Sequence, residues 1–109
     1  MAIGTVDSVV EGFAEIHPDV PVEVFRAPTG ELTARVAAEQ REGGMQADVL
    51  WLTDPLSMQQ YDGDGLLESW TPDGAGALPA EYVTETFWGT RILTMVMIAG
   101  SEVDAPTTW

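Results

Sequence analysis

Ala47-Asp48-Val49-Leu50-Trp51-Leu52, followed at once by Thr53-Asp54-Pro55, is a nearly continuous apolar run that breaks on a helix-start signal. Six residues are too few for a buried helix and suit a strand covered on both faces, as in a parallel sheet. Asp54 can cap the next helix and Pro55 fits its first position. The stretch therefore reads as strand, turn and helix, the repeating unit of α/β proteins. That helix should end near Tyr61, before Asp62-Gly-Asp-Gly65.

Upstream, the spacing predicts a helix from about Thr29 to Glu42, with Thr29 as N-cap and Glu31 in the first turn. Leu32 and Val36 share one face of it, and Gly43-Gly44 stop it. Val20-Pro-Val-Glu-Val-Phe25 alternates apolar and polar residues, a half-buried strand signal. Thr5 to His17 places Val6, Val9, Val10, Phe13 and Ile16 on one helical face, with Thr5 or Asp7 to cap it and Pro18 to end it. Downstream, residues 71–80 read as a surface connection rich in Pro, Gly and Ala. Arg91 to Ile98 reads as a last strand, ahead of a tail containing Pro106. The order α-β-α-β-α-loop-β predicts one α/β domain over residues 1–109, a mostly parallel sheet flanked by helices. Such a sheet keeps an edge unpaired, and Ile92–Ile98 is almost uncharged, so the isolated chain is expected to form a homo-oligomer.

Composition narrows the partners. Eighteen acidic residues stand against four arginines (Arg26, Arg35, Arg41 and Arg91), with no lysine and a formal charge of −14. That field repels phosphate backbones and anionic lipid, arguing against nucleic acid and membrane surfaces. Without cysteine there are no disulfides, thiolate metal sites or thiol chemistry. There is no Gly-x-Ser-x-Gly, no phosphate-binding Gly-Lys-Ser/Thr loop, and only one histidine. The expectation is a non-enzymatic protein without a cofactor. The N-terminus shows no basic start and no apolar signal core, and no run approaches the ~20 apolar residues of a membrane span.

Several blocks together resemble family 1 extracellular solute-binding proteins, the group that holds ferric-iron, thiamine and phosphonate binders. They are Phe13-Ala-Glu-Ile-His-Pro18 with Val22-Glu-Val24, Thr29-Gly-Glu-Leu-Thr-Ala-Arg-Val36, Ala47-Asp-Val-Leu-Trp51 with Asp54, Gly65-Leu-Leu67, and Pro106-Thr-Thr-Trp109. The resemblance implies a two-lobed clamp that holds a small molecule or ion in its cleft and hands it to an ABC permease outside the cytoplasm, in the periplasm or as a cell-surface lipoprotein. It makes this chain a partial periplasmic-binding-protein-like lobe. The strand expected ahead of the first helix and the whole second lobe are missing, and Ala99-Gly100 stands where relatives often carry Tyr-Asn. The chain thus reads as a fragment of such a protein. The competing reading is a stand-alone acidic protein-interaction domain.

Five residues are candidate ligand contacts. Thr29 and Gly30 open a helix whose N–H groups can face an anion, and the resemblance places this loop in the cleft. Thr53 and Asp54 lie past the carboxyl end of the expected Ala47–Leu52 strand, where open α/β sheets bind ligands. Asp54 is the candidate metal ligand, since an oxygen donor suits a hard cation and iron-binding relatives carry a carboxylate near this point. It is equally a good N-cap. Arg91 matches a Gly-x-Arg segment of the family and could pair with a bound anion or with a carboxylate of the protein. His17 reads as a complement to a helix end, and Asp62-Gly-Asp-Gly65 as a turn, since it lacks the ligand pattern of a calcium loop. Trp51, Trp70, Trp88 and Phe87 read as packing residues, with an aromatic ligand platform as the sharper alternative.

Overall fold

Three helices carry the regular structure of the chain: α1 (Ile3–Ile16), α2 (Thr29–Glu42) and α3 (Pro55–Gly63). They are seen in a computed structural model that describes residues 3–94, 96, 98–104 and 107–108. The chain divides into two compact units, Met1–Asp54 and Pro55–Trp109.

In the first unit, α1 begins at Ile3, so Thr5 and Asp7 lie within the helix and do not cap it. Its apolar stripe finds little to cover it: Val9 and Phe13 are exposed, and Ile16 is 75% exposed. The chain leaves α1 with the His17 N–H donating to the Phe13 carbonyl (2.8 Å) and the two rings tilted together at 4.8 Å. Helix α2 has the expected span, but Pro28, with extended backbone, holds the N-cap position and Thr29 is already helical. At the other end Gly43 and Gly44 adopt φ of 128° and 131°, a region that L side chains rarely occupy, and both N–H groups reach back to the Glu39 carbonyl.

One cluster ties the flanking segments to α2. Arg35 lies 4.0 Å over the Phe25 ring and donates from Nε to Glu39 Oε1 (2.8 Å), while the Gln46 N–H donates to Glu39 Oε2 (2.9 Å). A guanidinium one turn from a carboxylate and stacked on an aromatic face uses both of its binding modes at once. These contacts hold the Glu39 carboxyl below its usual range, through the Arg35 hydrogen bond first and the Gln46 N–H second.

In the second unit, α3 closes on Gly65 (φ 71°), with the Leu66 N–H donating to the Tyr61 carbonyl (2.9 Å). Two 3-10 turns follow, Asp73–Ala77 and Ala80–Tyr82. Val83 and Trp88 then form an antiparallel bridge closed by Thr84, whose hydroxyl donates to the Phe87 carbonyl (2.8 Å) and accepts from the Phe87 N–H (2.9 Å). Trp70 meets Trp88 edge-on at 5.4 Å, and its N–H reaches the Glu85 carbonyl (3.0 Å).

The expected sheet does not form, and the α/β fold class, with its periplasmic-binding-protein-like lobe, is corrected accordingly. Among the described residues there is no strand; the Val83–Trp88 bridge is an isolated pair. Val20–Phe25 and Ala47–Leu52 run without regular pairing. The same holds for the described part of Arg91–Ile98, of which residues 95 and 97 lie outside the described residues, as do 105, 106 and 109 in the tail. The reason is physical: alternation marks which side chains want burial, whereas a strand exists only when its backbone finds a ladder partner. Unpaired, these segments leave their apolar residues in water: Phe25 is 53% exposed and Ile98 92%.

The core is correspondingly thin. Among the described residues only Val36 (5% exposed), Tyr61 (8%) and Ala75 are buried. The accessible surface is 8997 Å². Two compact units of half this mass would expose only about 7000 Å² even if each stood alone. The excess is surface that neither unit buries within itself, and large apolar side chains such as Val49 and Ile92 are among what stays exposed.

Candidate functional site

The five candidate ligand residues fall into two groups. Thr29, Gly30, Thr53 and Asp54 belong to the first unit, and Arg91 to the second.

Within the first unit, Thr29 and Thr53 come together although 24 residues separate them: their hydroxyl oxygens lie 3.2 Å apart and share one hydrogen bond. Thr29 sits in the first turn of α2, half-buried, while Thr53 is exposed at the end of the segment that follows the Gly43-Gly44 turn. The Arg35–Glu39–Gln46 cluster helps the chain return to this point without strand pairing among the described residues, since it fastens residue 46 against the body of α2. Gly30 is exposed, and its carbonyl accepts from the Thr33 hydroxyl (3.0 Å). The Glu31 and Leu32 N–H groups are satisfied by the Pro28 carbonyl (2.9 and 3.0 Å). Asp54 is half-buried and already engaged within the protein.

The result is a small polar edge: two hydroxyls, the opening of a 14-residue helix, and one carboxylate beside them. Each hydroxyl can both donate and accept, so the pair can turn protons toward an oxyanion. The positive end of the helix dipole acts in the same direction, partly offset by the Glu31 carboxylate in the first turn. Among the described residues no group of three or more His, Asp or Glu gathers as a metal site, so Asp54 has no such companions for a cation.

Arg91 lines a groove of the second unit with Thr90 and Tyr82. Asp62, in the last turn of α3, accepts from the Thr86 hydroxyl (2.7 Å); of the expected Asp62–Gly65 turn, residues 62 and 63 are helical and only 64 and 65 form a turn. Trp88 holds its indole N–H buried without an acceptor among the described residues. Sequence reasoning passed over this groove and the Thr84 hub beneath it. Their only signal was Trp88-Gly89-Thr90-Arg91, where a glycine sits between bulky neighbours.

No family model, curated protein or solved structure matches the chain. Among the described residues no helix is long and apolar enough to cross a membrane.

Proposed function

We propose that this chain is the solute-contacting piece of the binding protein of an ABC-type importer, acting outside the cytoplasm on a small oxyanion, without catalysis. The observation that carries the reading is the Thr29–Thr53 contact, which puts Thr29, marked by the family resemblance, beside Thr53, a candidate chosen for its place after residues 47–52, at a helix opening. Of the solutes that the resemblance suggests, phosphonate suits this edge better than ferric iron or thiamine. Hydroxyls offer donors to an anion and a helix N-terminus its positive dipole end, whereas a ferric ion asks for several anionic oxygens. On this reading the exposed apolar segments are covered, and the solute enclosed, by the rest of a longer protein that hands its cargo to a permease.

The test is calorimetric titration of the product of the uninterrupted reading frame that contains this sequence, with phosphate, methylphosphonate, ferric citrate and thiamine. Binding of phosphate or methylphosphonate below micromolar concentration is expected. Binding of none of the four contradicts the reading.

A second reading, an acidic interaction domain, is favoured by one observation: Val20, Val22, Val24 and Phe25 are all exposed along a single segment without regular pairing. Backbone in that state can add to the sheet edge of a partner. Slowed amide exchange over residues 20–25 in the presence of a protein partner, with no solute bound, would select this reading.

A further inference from the structure

The second unit holds a groove of about 330 Å³ that the polar edge at Thr29 does not include. Leu78, Pro79, Ile92 and Tyr82 give it apolar walls, and Thr90 and Arg91 supply its polar groups. The volume lies at the lower end of the range of small-molecule sites.

Its walls are held by backbone bonds. The Gly89 N–H donates to the Tyr82 carbonyl (2.7 Å), the Tyr82 N–H to the Pro79 carbonyl (3.0 Å), and the Thr84 hub closes the turn beyond them. Gly89 packs tightly here: a Cβ at that position would lie 3.0 Å from the Tyr82 Cβ, tighter than nearly all real contacts, so the tyrosine would have to give by a few tenths of an ångström. Arg91 is exposed and has no ion-pair partner among the described residues, whereas Arg35 is held by Glu39 and Phe25, and Arg26 is engaged elsewhere.

We propose that this groove binds a small monoanion with a flat apolar body, an arene carboxylate, its ring against Tyr82 and Pro79 and its carboxylate on Arg91 and Thr90. A guanidinium presents a planar fork that fits a carboxylate with two parallel hydrogen bonds. The rest of the groove is apolar and rewards a ring rather than a bare ion. Arg91 is the one cation in the groove's lining, which matches a single negative charge.

Benzoate and its neutral isostere benzamide test this on the whole chain, followed by amide chemical shifts. Benzoate should move the Gly89, Thr90 and Arg91 amides and saturate in the millimolar range, as a shallow site permits. It should bind about tenfold more tightly than benzamide, the difference one charge-assisted pair supplies. Arg91→Gln should bring the two ligands to equal affinity with the circular dichroism unchanged, Arg91→Lys should keep part of the preference, and Gly89→Ala should weaken both ligands together. Equal binding of benzoate and benzamide to the unaltered chain, shifts that avoid residues 89–91, or a preference that survives Arg91→Gln would overturn the proposal.

Discussion

Replacing Tyr61 with alanine should come close to unfolding the second unit. Tyr61 is 8% exposed at the C-terminal turn of α3, and among the described residues of that unit only Ala75 is buried with it. An aromatic side chain covers roughly 150–250 Å², most of which alanine would return to water or leave as a cavity. Large-to-small changes of this kind cost about 3–5 kcal/mol. A unit of this length commands about 3–8 kcal/mol in total, at roughly 0.05–0.15 kcal/mol per residue. The substitution thus removes between about 40% and all of what holds α3, the 3-10 turns and the Val83–Trp88 turn together. Urea titration followed by near-ultraviolet circular dichroism of Trp70 and Trp88 reads the loss, because their edge-on contact at 5.4 Å exists only while the unit is folded. With a denaturant slope near 1 kcal/mol/M for a small unit, the midpoint should fall by about 3 M or the transition disappear. A midpoint that moves by less than about 0.5 M would show that the Tyr61 ring is not a core element and that stability lies elsewhere.

Three further outcomes are expected. The Glu39 carboxyl is held below its ordinary value of 4.5 by Arg35 and Gln46, so its contribution is fully present above that value and is lost as pH falls through the lower, folded value; Glu39→Gln should flatten the acid limb of α2 unfolding by circular dichroism, and an unchanged limb would mean that the cluster does not form. The 109-residue chain alone should give flat titrations with phosphate, methylphosphonate, ferric citrate and thiamine, because an exposed edge cannot enclose a solute as a pocket does; tight binding by the isolated chain would show that the edge is a complete site. The exposed segments around Val22 and Ile92 should drive self-association that grows with salt as the charge of −14 is screened within about 8 Å; light scattering after size exclusion that reports a monomer at low and high salt would mean that these segments are covered within the chain.

How much of this was legible beforehand differs by element. The helices were, α1 and α2 through apolar residues at helical spacing and all three through punctuation: Pro18 after α1, Gly43-Gly44 after α2, Pro55 at the head of α3. Cap residues were less so, since Pro28 took the position that favours threonine, and α1 starts ahead of Thr5. The strands were misread because Val20–Phe25 and Ala47–Leu52 declare a wish for burial and say nothing of a partner, and among the described residues neither finds a ladder. The antiparallel bridge that does form, Val83 with Trp88, depends on one threonine hydroxyl bonding its own turn, a local competition that hydrophobic periodicity does not report. At the candidate site, Thr29 was marked by its place before a helix and by family resemblance, and Thr53 by its place after an expected strand that does not form. Their contact at 3.2 Å depends on the Arg35–Glu39–Gln46 cluster, which no pairwise pattern across the Gly43-Gly44 turn would announce.

The proposal that a solute is held at the Thr29–Thr53 edge is tested most directly by calorimetry on the longer reading-frame product with Thr29→Val and Thr53→Val. Valine keeps the shape of threonine and removes its hydroxyl, so each change deletes one donor and little else. A hydrogen bond to a charged group contributes about 1.5–3 kcal/mol, and each variant should therefore bind its oxyanion about 10- to 100-fold more weakly, with the α2 signal unchanged. Wild-type affinity in both variants would contradict the assignment of this edge as the place where the solute is held.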